Sequence, residues 1–230
     1  MWYQMNARCM RWFLVGLLLF LIFAAILSGP KTIGASVTWS DGDYRFAGGT
    51  DPWSLIFAAL IFASYLTLMM AEPAESGEAL PGVFRRFVAF WIDFVLAMLV
   101  CAPVFGILVA LREWQRTGAF QWFFERGTPA PGDLSLSIVG SLVIFVVLAF
   151  YYAIPLTRRR PSPGACITGY QVVSDEDGAL ALGEAMRRTM LGIFALCVWP
   201  LTLFIARDRK RGKIWPDRAC RTRAVLLGRG

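Results

Sequence analysis

Apolar residues along this chain fall into long runs that are separated by short polar or basic stretches. Because about 20 apolar residues are needed to cross the hydrocarbon core of a bilayer, such runs predict transmembrane helices. Four long apolar runs are present, at 12–27, 53–71, 86–111 and 134–155. A fifth apolar stretch, 189–206, carries Trp199-Pro200 at its centre and predicts a broken or re-entrant segment. The pattern therefore predicts an all-α polytopic membrane protein with about four transmembrane helices.

Two polar stretches between these runs have the pattern of small β-hairpins. In 29–52, ASVTWS and DYRFA flank Asp41-Gly42, and Asp-Gly between alternating segments is a strong hairpin signal. In 161–188, GYQVV and ALAL flank an acidic turn and predict a second hairpin, after which LGEAMRR begins a helix. Both hairpins are expected in loops outside the membrane.

The composition agrees with a membrane protein and narrows the chemistry. Hydrophobic residues make up 57% of the chain and charged residues 17%, against about 25% charged in soluble domains. The chain has no histidine and five dispersed cysteines, which argues against the usual zinc and haem sites and against a disulfide framework. No phosphate-binding loop, dinucleotide fingerprint or nucleophile elbow is present. We therefore expect no enzyme activity, catalytic residue, metal or cofactor.

The basic residues indicate how the chain is oriented in the membrane. The formal net charge is +7, and the tail 207–230, with nine Lys or Arg and two Asp, accounts for all of it. Basic segments beside membrane helices stay on the cytoplasmic side. The N- and C-termini are therefore predicted to be cytoplasmic, and the tail is expected to contact anionic lipid. Nucleic acid is not an expected partner.

An aspartate inside the third apolar run is the strongest candidate for a functional residue. The stretch RRFVAFWID places Asp93 seven residues after Arg86. On one helix the two residues share a face, and Asp93 lies about 10 Å deeper in the membrane than Arg86. Inserting a carboxylate at that depth costs a few kcal/mol on insertion scales, so Asp93 should face the protein interior and have a partner.

Aromatic residues are dense between the third and fourth runs. Such residues usually form a belt at the membrane interface, but they are also suited to docking a partner protein. The candidates for docking are Trp114, Trp122, Phe123 and Phe124.

Three stretches together resemble the RDD family of membrane domains, which is named for one arginine and two aspartates. They are RRFVAFWID, PSPGACITGYQVVSDEDGALALGEAMRRTML and DRKRGKIWPDRACRTRAV. Arg86, Asp93, Asp217 and Thr222 match positions of the family motifs, whereas Pro216 stands where the family has histidine. The resemblance implies a bacterial membrane domain of largely unassigned role, suspected of transport.

The resemblance also suggests a domain organisation. Residues 1–72 are expected to form a helix pair with an outer hairpin, 73–84 a linker, and 85–226 the RDD-like domain. The basic tail 207–230 overlaps the end of that domain.

Three roles compete for Arg86, Asp93, Asp217 and Arg218. They could form a buried ion network that holds the domain together, Asp93 could couple to ions or protons, or the protein could be an accessory subunit. We predict an accessory, structural or assembly subunit of a larger complex in the bacterial inner membrane, with homo-oligomerisation left open. The alternative is a small ion- or proton-coupled transporter that uses Asp93.

Overall fold

The computed structural model describes residues 34–40, 43–70, 81–175, 179–197 and 214–227, together with a few helical positions between 12 and 20. The strands are β1 (Gly34–Ser40), β2 (Asp43–Gly49), β3 (Phe123–Arg126), β4 (Tyr170–Ser174) and β5 (Thr222–Leu226). The helices are α1 (Pro52–Met70), α2 (Val83–Thr117), α3 (Asp133–Thr157), α4 (Pro163–Thr168), α5 (Leu182–Cys197) and α6 (Trp215–Ala219).

Within the described residues, α1, α2 and α3 are long and apolar enough to cross a membrane. They coincide with the second, third and fourth apolar runs. The first predicted span lies largely outside the described residues, and so does the segment around Trp199-Pro200. The prediction of four spans and a broken fifth segment therefore rests on the sequence alone.

Helix α2 is the longest helix described, and it runs without interruption through Pro103. Its 35 residues extend about 50 Å at 1.5 Å per residue, which exceeds the roughly 30 Å of the hydrocarbon core. Gly118 ends it with a φ of 75°, and the Gly118 N–H donates to the carbonyl of Trp114 at 2.7 Å. A left-handed glycine after the last turn is a common helix terminator.

The chain divides into two compact units, and the long helices contribute residues to both. One unit, here called the hairpin unit, comprises 16–63 and 95–147. The other, here called the C-terminal unit, comprises 1–15, 64–94 and 148–230.

The hairpin unit contains a three-stranded antiparallel sheet in the order β1-β2-β3. Ser40 pairs with Asp43 and Gly34 with Gly49, which confirms the hairpin predicted around Asp41-Gly42, although the turn itself lies outside the described residues. Strand β3 was not predicted. It pairs with the second half of β2 and brings Phe124 against the buried ring of Phe46, with 5.7 Å between ring centroids.

The start of α3 is tied to this sheet by Asp133. Its carboxylate accepts hydrogen bonds from the Tyr44 hydroxyl at 2.6 Å and from the Ala130 N–H at 2.9 Å, and it pairs with Arg126. Burial, reinforced by the hydrogen bond to Asp133, raises the pKa of Tyr44 to about 12. The phenol therefore stays a donor at physiological pH.

In the C-terminal unit, the predicted hairpin between GYQVV and ALAL is wrong. Strand β4 pairs with β5 instead, with Tyr170 opposite Leu226 and Ser174 opposite Thr222. The ALAL segment leads directly into α5, whose Glu184 accepts from the Ala181 N–H at 3.4 Å. An acidic residue in the first turn stabilises a helix start, so this segment caps a helix and is not free to form a strand.

Candidate functional site

A fully buried aspartate, Asp217, lies between two arginines in the C-terminal unit. Its Oδ2 accepts from Nη1 of Arg86 at 2.6 Å, and its Oδ1 accepts from Nη2 of Arg188 at 2.7 Å. Asp217 is 0% exposed and Arg86 is 8% exposed. Each carboxylate oxygen thus has its own guanidinium, and we call these three residues the arginine–aspartate triad.

Three elements far apart in sequence supply the triad. Arg86 belongs to the first turns of α2, Arg188 to α5, and Asp217 to the first turn of α6. The buried hydroxyl of Thr222 in β5 accepts from Nε of Arg188 at 3.1 Å and contacts the carbonyl oxygen of Asp217 at 3.5 Å. The triad therefore joins a membrane helix to the end of the chain.

Asp93 lies two helical turns beyond Arg86 and has a separate set of partners, none of them charged. Its Oδ1 accepts from the Gly164 N–H at 2.7 Å and from the Tyr151 hydroxyl at 3.0 Å. Its Oδ2 accepts from the Ser162 hydroxyl at 2.5 Å. Asp93 is 2% exposed, so its carboxylate is held by three donors inside the unit.

The contacts of Asp93 make it a cap for the short helix α4. Ser162 is the N-cap residue and its oxygen accepts from the Ala165 N–H at 3.4 Å, while Pro163 occupies the first turn. The first N–H groups of a helix lack intrahelical partners, and Asp93 accepts from one of them, that of Gly164. A carboxylate on the membrane helix thereby fixes where α4 begins.

Glycine is the only residue type that fits at position 164, where α4 approaches α2. A Cβ at this position would meet the Ala89 carbonyl oxygen and would lie 2.8 Å from Cγ of Asp93. The backbone of α4 can therefore approach α2 closely only because position 164 has no side chain.

Gly164→Ala is expected to lower the free energy of unfolding by about 1–3 kcal/mol, because the added methyl group would be too close to the Ala89 carbonyl oxygen and to the Asp93 carboxylate. Gly183→Ala is the matched control, since a Cβ there meets nothing within 4 Å. In α5 that change should be neutral or stabilise by up to about 1 kcal/mol. Thermal unfolding in detergent measures both, and equal effects would contradict the close approach at Gly164.

Tyrosines pack around Asp93. Tyr151 stacks on Tyr65 with 4.8 Å between ring centroids, and the Tyr65 hydroxyl donates to the Tyr151 carbonyl at 3.1 Å. Tyr152 stacks on Phe90 at 5.1 Å and donates to the Phe90 carbonyl at 3.0 Å. These contacts fix α3 against α1 and α2 within the C-terminal unit.

Of the four predicted charged residues, Arg86 and Asp217 are directly paired. Asp93 bonds to uncharged donors instead, and Arg218 is exposed on α6. The sequence did not single out Arg188. The signal that could have selected it is its position as the last basic residue before the apolar stretch 189–206.

The predicted docking aromatics do not all remain available at the surface. Trp114 contacts Phe120 edge to face at 6.2 Å, and Phe120 contacts Trp122 at 5.1 Å. These three rings are 40–46% exposed, and we call them the aromatic group. Phe123 and Phe124 lie in β3 and are half-buried.

Comparison with known proteins identifies the family. The sequence model of the RDD family matches residues 80–221, a range that contains the arginine–aspartate triad and Asp93. No curated protein and no solved structure matches the chain. No cluster of three potential metal ligands among His, Cys, Asp and Glu occurs in the part of the chain that the structure describes. With its apolar helices and a family match over more than half its length, this chain is a membrane protein that belongs to the RDD family.

Proposed function

We propose that this protein is a non-catalytic accessory or assembly subunit of a larger complex in the bacterial inner membrane. The observation that favours this role over ion-coupled transport is the way its two most buried aspartates are used. Asp217 has one arginine on each oxygen, and Asp93 has three donors. Both carboxylates are engaged in joining elements of the fold.

A carboxylate that couples to an ion must offer it an oxygen, and three of the about four acceptor sites of the Asp93 carboxylate are already occupied by protein donors. Both oxygens of Asp93 are already engaged, and one of the donors is a backbone N–H that cannot rotate away. Breaking up a buried polar cluster of this kind is strongly destabilising. We therefore favour a structural role for Asp93 over ion-coupled transport.

The aromatic group is the surface that we assign to partner contact. Trp114, Phe120 and Trp122 hold one another edge to face, so their exposed surfaces are already ordered before a partner binds. Large, rigid aromatic side chains contribute much of the binding energy at protein interfaces. We propose that the occupant is another membrane subunit.

Native mass spectrometry after mild, lipid-preserving extraction tests this proposal. A stoichiometric complex with a different protein is expected, and Trp114→Ala combined with Trp122→Ala should dissociate it without unfolding the chain. Trp53→Ala, at an exposed tryptophan of the same unit, is the matched control and should leave the complex intact. A chain that migrates only as a monomer or homodimer would refute the accessory role.

Labelling of Cys220 tests the proposed cytoplasmic location of the C-terminus. In a variant whose other cysteines are replaced, a membrane-impermeant maleimide should modify Cys220 only after the cells are permeabilised. Partial burial raises the pKa of this thiol, so labelling should be slow at neutral pH and faster as the pH rises. Labelling in intact cells would place the tail outside.

A further inference from the structure

A cavity of about 100 Å³ lies beside Asp93 inside the C-terminal unit. This volume exceeds the about 10–15 Å³ that one water molecule requires, so the cavity can hold a small polyatomic group. Its lining combines apolar side chains, among them Phe90, Leu156 and Ile193, with polar and charged ones. The latter include Asp93, Arg160, Arg188 and Thr189.

Some of these polar groups lack a hydrogen-bond partner in the described structure. They are the buried Nε and Nη1 atoms of Arg160 and the hydroxyl of Thr189. Thr189 is 5% exposed. Buried donors are nearly always satisfied in folded proteins, so two unsatisfied side chains facing one cavity indicate a bound acceptor. Arg188, by contrast, already donates to Asp217 and Thr222.

The charges around the cavity favour an anion. Asp217 is shared by Arg86 and Arg188, and Asp93 carries the other negative charge. Arg160 adds a third arginine to two aspartates, so the group is left with one positive charge in excess. A cation would face two guanidinium groups in the wall, whereas one oxoanion would neutralise the excess.

The turn after α3 holds Arg160 at this position. Arg159 adopts a left-handed conformation with a φ of 54°, which is uncommon for a residue with a side chain. The Arg160 N–H donates to the Pro155 carbonyl at 2.8 Å. The turn thus folds back on the end of the helix, and burial lowers the pKa of the Arg160 guanidinium.

We propose that this cavity binds a phosphate group, with Arg160 and Thr189 as its donors. Planar guanidinium groups are well suited to phosphate oxygens, and a hydroxyl donor completes the contact. The phosphate could belong to a phospholipid head group or be free inorganic phosphate, because both present the same oxygens. This inference is independent of the accessory role proposed above.

Ligand-dependent stability of the full chain tests the proposal. Protein purified and delipidated in a maltoside detergent would be titrated with inorganic phosphate, with sodium chloride of equal ionic strength as the reference. In parallel it would be titrated with short-chain phosphatidylglycerol, with diacylglycerol as the phosphate-free reference. Stabilisation by phosphate alone identifies the free ion, and stabilisation by phosphatidylglycerol alone identifies the lipid; either result supports the site.

Variants of the lining residues make the test specific. Arg160→Gln should weaken binding of the effective ligand by about tenfold or more, since a charged hydrogen bond is lost. Arg158→Gln, at an exposed arginine of the same turn, should leave binding unchanged.

Thr189→Val provides a second variant in case Arg160→Gln does not fold. It removes an unsatisfied buried hydroxyl, so the unliganded protein should remain at least as stable while binding weakens. If neither ligand stabilises the protein beyond its reference, the cavity holds water only and the proposal is wrong. Equal losses in the Arg160 and Arg158 variants would likewise overturn it.

Discussion

Asp217→Asn is expected to lower the free energy of unfolding by about 3–5 kcal/mol, because it leaves the guanidinium groups of Arg86 and Arg188 without their buried counter-charge. The amide keeps one acceptor oxygen and directs an NH₂ group at the other arginine. The loss should appear as a lower midpoint of thermal unfolding in detergent, followed by tryptophan fluorescence.

Adjacent arginines on α5 offer a matched control for the triad. Arg188 donates to Asp217, whereas its neighbour Arg187 is exposed. Arg188→Gln should be clearly destabilising, and Arg187→Gln should change stability by no more than about 0.5 kcal/mol. If the two substitutions have equal effects, the triad does not stabilise the fold.

Replacing the whole triad distinguishes the cost of an unpaired charge from the value of the pairing itself. Arg86→Met, Arg188→Met and Asp217→Leu together remove all three charges and leave none unpaired. The triple variant should be more stable than Asp217→Asn alone, because buried ion networks often contribute little relative to apolar residues of similar size. If the triple variant is less stable than Asp217→Asn, the ion pairs of the triad make a large net contribution to the free energy of unfolding.

The long apolar helices could be predicted from the sequence, and so could the first hairpin. Both predictions rest on local signals. One is an apolar run long enough to span a membrane, and the other is Asp41-Gly42 between two segments in which apolar and polar residues alternate. The partner of β4 could not be predicted in the same way. Ser174 pairs with Thr222, 48 residues later in the chain, and no local pattern specifies pairing over that sequence separation.

The partners of the charged residues show the same limit. Asp93 stands out because charge in an apolar segment is costly, and Arg86 because it shares a helix face with Asp93. Asp217 is indicated only by the resemblance to the RDD family. The identity of each partner depends on tertiary packing. Ser162 and Gly164 lie in a stretch that resembles an ordinary turn, yet they supply two of the three donors to Asp93.

Asp93→Asn is expected to destabilise the protein by about 1–3 kcal/mol, because it weakens three hydrogen bonds to a buried charged acceptor. One amide oxygen can still accept from Gly164, and the Ser162 hydroxyl can rotate to accept from the new NH₂ group. Asp93→Ala should cost more, about 3–5 kcal/mol, because it leaves the Gly164 N–H unsatisfied and opens a space beside it.

A double-mutant cycle with adjacent tyrosines tests whether Asp93 acts through its observed contacts. The Tyr151 hydroxyl donates to Asp93, whereas the Tyr152 hydroxyl donates to the Phe90 carbonyl. Tyr151→Phe should therefore couple to Asp93→Ala by about 0.5–3 kcal/mol, and Tyr152→Phe should couple much less. Equal coupling would mean that the hydrogen bond to Tyr151 is not what holds the carboxylate. An Asp93→Asn protein with unchanged stability but abolished ion flux in proteoliposomes would instead assign Asp93 to transport.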